Sequence, residues 1–476
     1  MRIPLQETLS SLPPEWPEDL LPAIQAENRD CGASIVVLDD DPTGTQTVYD
    51  VPILTDWTTK SLTCELHAKT PLFYVLTNSR SLTEAAARNL ATEIGMNLKT
   101  AAQQTGRSFV VISRSDSTLR GHFPAEVDAL ADALGQTNAI RILIPFFLEG
   151  GRYTIGDTHY VKEGAYLVPA HETPFAQDAV FGYSCSNLPK WVGQKSQGQV
   201  SPDAVVTLTL DDIRRGGPKR VEEKLRTCRQ NGVCVINAAS YRDLEVATVA
   251  LIRAERRGQG FLYRTAASFV RVRAGLTGRP LLTVKDLALP EKSGALLVVG
   301  SYVPRTSEQI SYLKKHAKIR SIEVQVTQLL SEAKRDAEIR RLISLVDETL
   351  DKNSDVMIYT SRDLVTGQNA EENLAIGSQI SNGLVDLVRR ISVRPRYILA
   401  KGGITSSDLA TKALRIKRAV VLGQILPGVP VWKTGPETAF ADMPYIVFPG
   451  NVGGRDALVQ IIDKLAPFPR RRSGQG

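Results

Sequence analysis

Short apolar runs, each closed by a polar loop, recur along the whole chain. The first series is Ile35–Leu38, Leu72–Leu76, Phe109–Ile112, Ile140–Ile144, Val205–Leu208 and Val233–Ile236. A second series is Ala295–Val299, Ile322–Val326, Val356–Tyr359, Tyr397–Ala400, Ala419–Leu422 and Tyr445–Phe448. Runs this short, bounded by turn residues, read as buried strands. Helical spacing of apolar positions follows several of them, at Pro124–Leu134, Thr306–His316, Glu371–Ile391 and Arg455–Leu465. Alternating β and α units imply mainly parallel sheets covered by helices on both faces. Between Val272 and Ser293 the periodicity fades among Gly275, Gly278, Pro280 and Pro290, which places a domain boundary there. The fold class expected is α/β: two α/β domains with mainly parallel sheets and a cleft between them.

Composition narrows the function. A chain of 476 residues exceeds one ordinary core. Its net charge of +7 draws three charges from Arg470, Arg471 and Arg472, and no basic run is interleaved with aromatics. Nucleic acid is therefore not expected as a partner, whereas small anions suit a modest positive excess. The five cysteines form no CxxC pair, which argues for a reducing compartment and against structural zinc. Residues 1–30 hold no apolar signal-peptide core, and no apolar stretch reaches membrane-spanning length. A cytoplasmic protein without a membrane partner is expected.

Candidate chemistry lies in the loops after the strands, where α/β folds bind ligands. The most informative is Ser113-Arg114-Ser115-Asp116-Ser117-Thr118-Leu119-Arg120-Gly121. It joins two guanidinium groups, a carboxylate and several hydroxyls, including Ser117 and Thr118, a set suited to a small polyhydroxylated anion. Asp39-Asp40-Asp41-Pro42-Thr43-Gly44 crowds three carboxylates, whose repulsion must be offset by a metal ion, an arginine or a substrate hydroxyl. A carboxylate so placed can act as general base toward a sugar hydroxyl. Arg80, Arg120 and Arg152, each in such a loop, can grip a substrate carboxylate in bidentate fashion. The second half differs in character. Glycine-containing loops at Gly300–Thr306, Lys401–Asp408 and Pro449–Asp456 each lead from a strand into a helix, and three of them point to a nucleotide.

Absent motifs exclude other classes. There is no G-x-x-x-x-G-K-[ST], no G-x-G-x-x-G after a strand and no kinase H-x-D loop, so P-loop NTPases, dinucleotide dehydrogenases and protein kinases are disfavoured. Five histidines (His67, His122, His159, His171 and His316) are too few and too scattered for a His-based metal cluster. His122 reads as a packing residue and His159 as either structural or functional.

These loops, in this order, resemble the four-carbon acid sugar kinase family from about Ala33 onward. The family's D-D-x-T-G looks like Asp40-Asp41-Pro42-Thr43-Gly44, and its D-S-T-L-R-G is Asp116 to Gly121 unchanged. Its P-x-x-x-x-G-R segment resembles Pro145 to Arg152 with one extra residue. G-S-C-S-x-x-T is similar to Gly300 to Thr306, and S-G-N-x-G-G to Pro449 to Gly454. Two departures stand out: Tyr302 interrupts the first of these two loops, and Ile404 replaces the acid of G-G-D-T-S in Gly402-Gly403-Ile404-Thr405-Ser406.

The resemblance implies an ATP-dependent kinase acting on a hydroxyl of threonate, erythronate or a 3-oxo-tetronate. Residues 31–275 would form the acid-sugar-binding domain and 290–468 the nucleotide-binding domain, flanked by an N-terminal tail (1–30) and a basic tail (469–476). Asp40 or Asp39 would be the base, with Asp116 orienting hydroxyls. Arg120, with Arg80 or Arg152, would hold the sugar carboxylate. Ser301, Gly402, Gly403, Ile404, Thr405, Gly450, Asn451 and Gly453 would cradle the phosphates. Mg²⁺ is expected with the ATP, without a ligand set legible in the chain. The partners are then a small acid sugar and ATP, and a homo-oligomer is compatible with the sequence. The alternatives are a nucleotide or metabolite sensor without turnover, favoured by Ile404, and a sugar-acid dehydrogenase or isomerase.

Overall fold

The computed structural model describes residues 2–290, 292–362, 365 and 370–466. The chain divides into two compact units. The first comprises Met1–Val48 and Asp56–Gly278, the second Tyr49–Thr55 and Arg279–Gly476.

The first unit is built on a sheet whose strands run in the order Val206–Leu208, Val233–Ile236, Ile140–Ile144, Phe261–Thr265, Phe109–Arg114, Ser34–Asp39 and Leu72–Leu76. Every neighbouring pair is parallel. Ser34–Asp39, Leu72–Leu76, Val233–Ile236 and Phe261–Thr265 are buried at every position, which is why they show no apolar–polar alternation in sequence. Helices connect these strands; the longest in this unit, Glu84–Thr105, is capped by the Thr83 side chain accepting from Ala86 N–H. Three of this half's polar loops leave the carboxyl ends of adjacent strands, so the topology gathers Asp39–Asp41, Thr77–Arg80 and Arg114–Arg120 at one edge.

Three features were not expected from the sequence. The Phe261–Thr265 strand inserts between Phe109–Arg114 and Ile140–Ile144. A separate antiparallel sheet is formed by Arg152–Ile155, Thr158–Glu163 and Tyr166–Pro169. The first thirty residues, read as a tail, instead belong to the unit's fold. Ile3–Pro4 pairs with Tyr166–Leu167. The helix Leu21–Cys31 is tied down by Asn28 Nδ2 donating to Arg273 O at 2.7 Å and Gln25 Nε2 to Gly275 O at 2.9 Å. The basic tail expected at 469–476 lies outside the described residues.

The second unit carries a mixed sheet. Ile398–Lys401 lies between Pro444–Phe448 and Leu296–Val299, and Val356–Thr360 and Arg320–Val324 follow on the far side, all in parallel register. Arg418–Leu426 and Val429–Thr434 add antiparallel strands beside Pro444–Phe448. Val51–Leu54, which sequence order assigns to the first domain, completes this sheet by pairing antiparallel with Arg418–Val421. The core beneath includes Leu297, Val299, Leu313, Leu399, Ile446, Phe448, Leu458 and Ile461. The helices predicted over Thr306–His316, Glu371–Ile391 and Arg455–Leu465 run over Pro304–His316, Ala370–Arg390 and Ala457–Lys464.

Candidate functional site

In the first unit the three successive aspartates sit in different environments. Asp39 is fully buried at the end of its strand, and its Oδ1 accepts from Arg114 Nη1 at 3.0 Å. The same guanidinium nitrogen lies 3.5 Å from Asp40 Oδ1. A Cβ at position 44 would fall 2.1 Å from Asp39 Oδ2, so only glycine lets the loop fold back over that carboxylate. Asp41 accepts from Thr43 N–H at 2.8 Å and from Arg80. Arg114 and Arg80 thus offset much of the crowding.

Burial and these partners divide the charges. Burial pushes Asp39 up to about 7 against the pull of Arg114, and it raises Asp40 as well. Asp41 is buried too, but Arg80 and the Thr43 hydrogen bonds outweigh burial and hold it below the usual range. The Oδ2 atoms of Asp39 and Asp40 are buried with no hydrogen-bond partner among the described residues.

The Asp116–Gly121 loop is fixed from behind by its carbonyls. His159 Nε2–H donates to Ser117 O at 2.8 Å, Tyr183 OH to Thr118 O at 2.8 Å and Arg264 Nη2 to Arg120 O at 3.0 Å. His159 Nδ1 accepts from Thr154 Oγ1 at 3.0 Å, and burial lowers the ring to about 4, so it is a neutral support with both nitrogens engaged. Leu119 is held at φ +69°, a left-handed conformation unfavourable for leucine and tolerated where the surroundings enforce it. Gly121 has φ +117°, and a Cβ there would lie 3.3 Å from Asp40 Oδ2 and 3.1 Å from Arg264 Nη2.

Asp116 is the hub of this loop. Its Oδ2 accepts from Arg120 Nε at 2.8 Å and from Thr118 Oγ1, and its Oδ1 lies 3.4 Å from Arg80 Nη1. Burial disfavours its charge, but Arg120 and Arg80 outweigh that and hold the carboxyl well below the ordinary range. Arg120 also reaches Asp178 Oδ2 at 3.6 Å and stacks over the Phe175 ring at 5.3 Å. Arg152 stacks over the same ring at 5.4 Å, donates to Gly150 O, and has a buried Nε with no partner among the described residues. Asp39, Asp40, Asp116, Arg80, Arg120 and Arg152 therefore meet in one network. Ser117 and Thr118 are nearly buried within the loop.

The residues missed by sequence reading are Arg264, Asp178, Phe175 and Glu126; Arg114 counts in the sequence as one of the two guanidinium groups of its loop but is given no role of its own. Glu126, in the first turn of the Ala125–Leu134 helix, lines a small cavity with Asp40, Thr77, Ser79 and Ser113. Burial raises it to about 7, against a hydrogen bond from Ser79. A polar residue at the start of a helix that follows such a loop was the available signal.

In the second unit the three glycine-containing loops leave three adjacent strands. Thr306 Oγ1 joins two of them, 3.2 Å from Ser301 Oγ and 3.2 Å from Gly450 O. Gly402 N–H donates to Phe448 O at 2.9 Å, linking the third. Both terminal nitrogens of Arg362 donate to Ser301 O, at 3.0 and 2.8 Å. Gly403 to Asp408 form a short helix, in which Thr405 is buried and Ile404 is 60% exposed. Tyr302 is 65% exposed. Asn451 and Gly453 are exposed on the Pro449–Gly454 loop. All the expected phosphate-cradling positions thus lie at one end of this unit's sheet. Lys401, Gln309 and Arg362, behind the loops, were not anticipated.

Among the described residues, no group of three or more His, Cys, Asp or Glu side chains is arranged to hold a metal ion. None of their helices is long and apolar enough to cross a membrane.

The arginine-bearing loop cluster and the three glycine-containing loops thus fall on separate α/β units. Matches to known domains follow the same division. A sugar-binding N-terminal domain matches residues 35–273, and a nucleotide-binding C-terminal domain matches residues 296–458. The chain belongs to the four-carbon acid sugar kinase family. It is 26% identical over 382 residues to a D-erythronate kinase of Heliobacterium modesticaldum, covering 74% of this chain and 78% of that protein. Its fold is similar to that of a Haemophilus influenzae protein of the DUF1537 family, with a TM-score of 0.59 at 19% identity over 90% of this chain and 100% of the other. A crystal structure from Salmonella typhimurium LT2, described as a tRNA synthase, has a TM-score of 0.64 at 18% identity over 90% and 98% of the two chains.

Proposed function

We propose that this protein transfers the γ-phosphoryl group of ATP to a hydroxyl of a four-carbon acid sugar of the erythronate, threonate or 3-oxo-tetronate type. The observation that carries the reading is the convergence of Arg80 and Arg120 on Asp116, with Arg120 and Arg152 sharing the Phe175 ring. Each guanidinium has five N–H donors, more than its internal partners use, so a substrate carboxylate can be gripped beside them. Kinship with a D-erythronate kinase supports the substrate class.

Phosphoryl transfer asks a protein chiefly for positioning and charge stabilisation. Asp40 is the base: its Oδ2 is unpartnered among the described residues, and its raised proton affinity suits a group that takes a proton from a hydroxyl. Asp39, pinned by Arg114 and covered by Gly44, supports it. Asp116, held ionised, orients the sugar's hydroxyls and the arginines that bind its carboxylate. In the second unit, Ser301, Gly402–Thr405 and Gly450–Gly453 hold the ATP phosphates. Mg²⁺ would arrive with the ATP phosphates and neutralise part of their charge.

An ADP-release assay with Mg-ATP and a panel of both erythronates, both threonates and the 3-oxo acids tests the reading. Turnover of one member is expected and identifies the substrate. Nucleotide binding without turnover of any member would favour the sensor reading, which rests on the exposed Ile404 in place of the acid of the G-G-D-T-S motif.

A further inference from the structure

Behind the Pro449–Gly454 loop stand three fully buried polar side chains that the proposed reaction does not yet use: Thr306, Gln309 and Lys401. Together they take the loop's carbonyl oxygens. Lys401 Nζ donates to Pro449 O at 3.0 Å and lies 3.4 Å from Gly450 O. Thr306 Oγ1 donates to Gly450 O at 3.2 Å. Gln309 Nε2 donates to Val452 O at 3.0 Å and Gly454 O at 2.9 Å, with Gly453 O at 3.4 Å. Lys401 Nζ also lies 3.8 Å from the centre of the Phe448 ring, at the end of the preceding strand.

A peptide unit is planar and trans, so its C=O and the following N–H point in opposite directions. Drawing the carbonyls of residues 449, 450, 452, 453 and 454 to the rear therefore turns the next N–H of each to the front. None of the backbone N–H groups of Gly450 to Gly454 has an internal partner among the described residues. A run of forward-facing amides of this kind is a concave anion site.

We infer that Thr306, Gln309 and Lys401 are positioning residues for the nucleotide phosphates, holding the 449–454 loop so that its amides face the ligand. The inference rests on the nucleotide reading of this unit. None of the three touches the nucleotide; they act through the loop. The side-chain amide of Gln309 is divided between two tasks: its nitrogen is shared by three carbonyls, and its buried Oε1 has no partner among the described residues. Replacing Gln309 by methionine thus removes an unsatisfied acceptor along with the donors, which limits the cost to folding.

The test compares full-length wild type with Gln309→Met, Lys401→Met and Thr306→Val by calorimetric titration with Mg-ADP and with adenosine, and by steady-state kinetics. The expected result is ADP affinity weakened about tenfold in Gln309→Met and Lys401→Met, and less in Thr306→Val, equivalent to loss of roughly one hydrogen-bonded contact. KM for ATP should rise in parallel, while adenosine affinity and KM for the acid sugar stay within about twofold. A purely structural role would lower the thermal midpoint and leave these ratios unchanged. Folded variants whose ADP affinity stays within about threefold of wild type would overturn the inference, as would equal losses for ADP and adenosine. If Lys401→Met does not fold, Gln309→Met and Thr306→Val decide the matter. Wild-type protein that binds no ADP would instead refute the nucleotide reading itself, a distinct result.

Discussion

Asp39, Asp40 and Asp41 are the same residue type in consecutive positions, yet burial raises the first two while Arg80 and the Thr43 hydrogen bonds hold the third below the usual range. The acidic run was legible in the sequence, and so was its need for compensating charge. Which aspartate remains available as a base was not. It depends on Arg80, Arg114 and Arg264, all brought in from farther along the chain. Asp40→Asn keeps the shape and removes the proposed base, so kcat should fall by roughly 10²- to 10⁴-fold, while Mg-ADP affinity, assigned by the proposal to the other unit, should be unchanged. A variant with near-normal kcat would remove Asp40 from that role. Arg120→Ala deletes a guanidinium whose donors are only partly used by Asp116 and Asp178. KM for the acid sugar should rise about 10- to 100-fold with KM for ATP nearly constant. An unaltered sugar KM would show that the carboxylate binds elsewhere.

Among the elements, the buried parallel strands were readable because burial on both faces leaves uninterrupted apolar runs. Phe261–Thr265 escaped because Arg264 and Thr265 close it with polar residues, and Arg264 finds its partner only far along the chain, in Arg120 O. The Arg152–Pro169 hairpins escaped because their polar faces carry Thr154 and His159, whose bonds brace the Asp116–Gly121 loop. The helix Ala125–Leu134 was predicted, but not the buried acid at its start. Glu126 titrates near 7 in the folded protein, against an ordinary value of 4.5, because burial disfavours its charge. The folded state therefore binds more protons than the unfolded state between about pH 4.5 and 7, and stability falls as pH rises through that window. Glu126→Gln has no such dependence. It should melt above wild type at pH 8, by an amount corresponding to about 1–2 kcal/mol after allowance for partial solvation, with the difference closing by pH 5. Parallel melting curves across this range would show that Glu126 titrates normally. Asp39, raised in the same direction, remains in both proteins and leaves a common residual slope.

At the scale of the molecule, the chain divides its chemistry. The acidic and arginine-bearing loops at 39–44, 77–80 and 113–121 belong to the first unit, and the loops at 300–306, 401–408 and 449–456 belong to the second. This division was visible in the order of the motifs, whereas the exchange of Val51–Leu54 into the second unit's sheet was not, since a short apolar strand carries no mark of its distant partner. The division makes a direct prediction for hydrogen exchange of the full-length Asp40→Asn protein, in which turnover is blocked but both ligands should bind. Erythronate, or whichever acid the assay identifies, should slow exchange in segments covering residues 77–82 and 114–121. Mg-ADP should slow it in segments covering 300–306, 401–406 and 449–454, where amides facing the phosphates become hydrogen-bonded. At a ligand concentration of about 100 times Kd, binding free energy of about 2.7 kcal/mol is available to suppress the openings that permit exchange, a change readily measured in loops of low local stability. Protection by Mg-ADP confined to residues 77–121, or by the acid confined to residues 300–454, would reverse the assignment of sugar and nucleotide to the two units. Protection in the expected segments would assign each ligand to its own sheet edge independently of turnover.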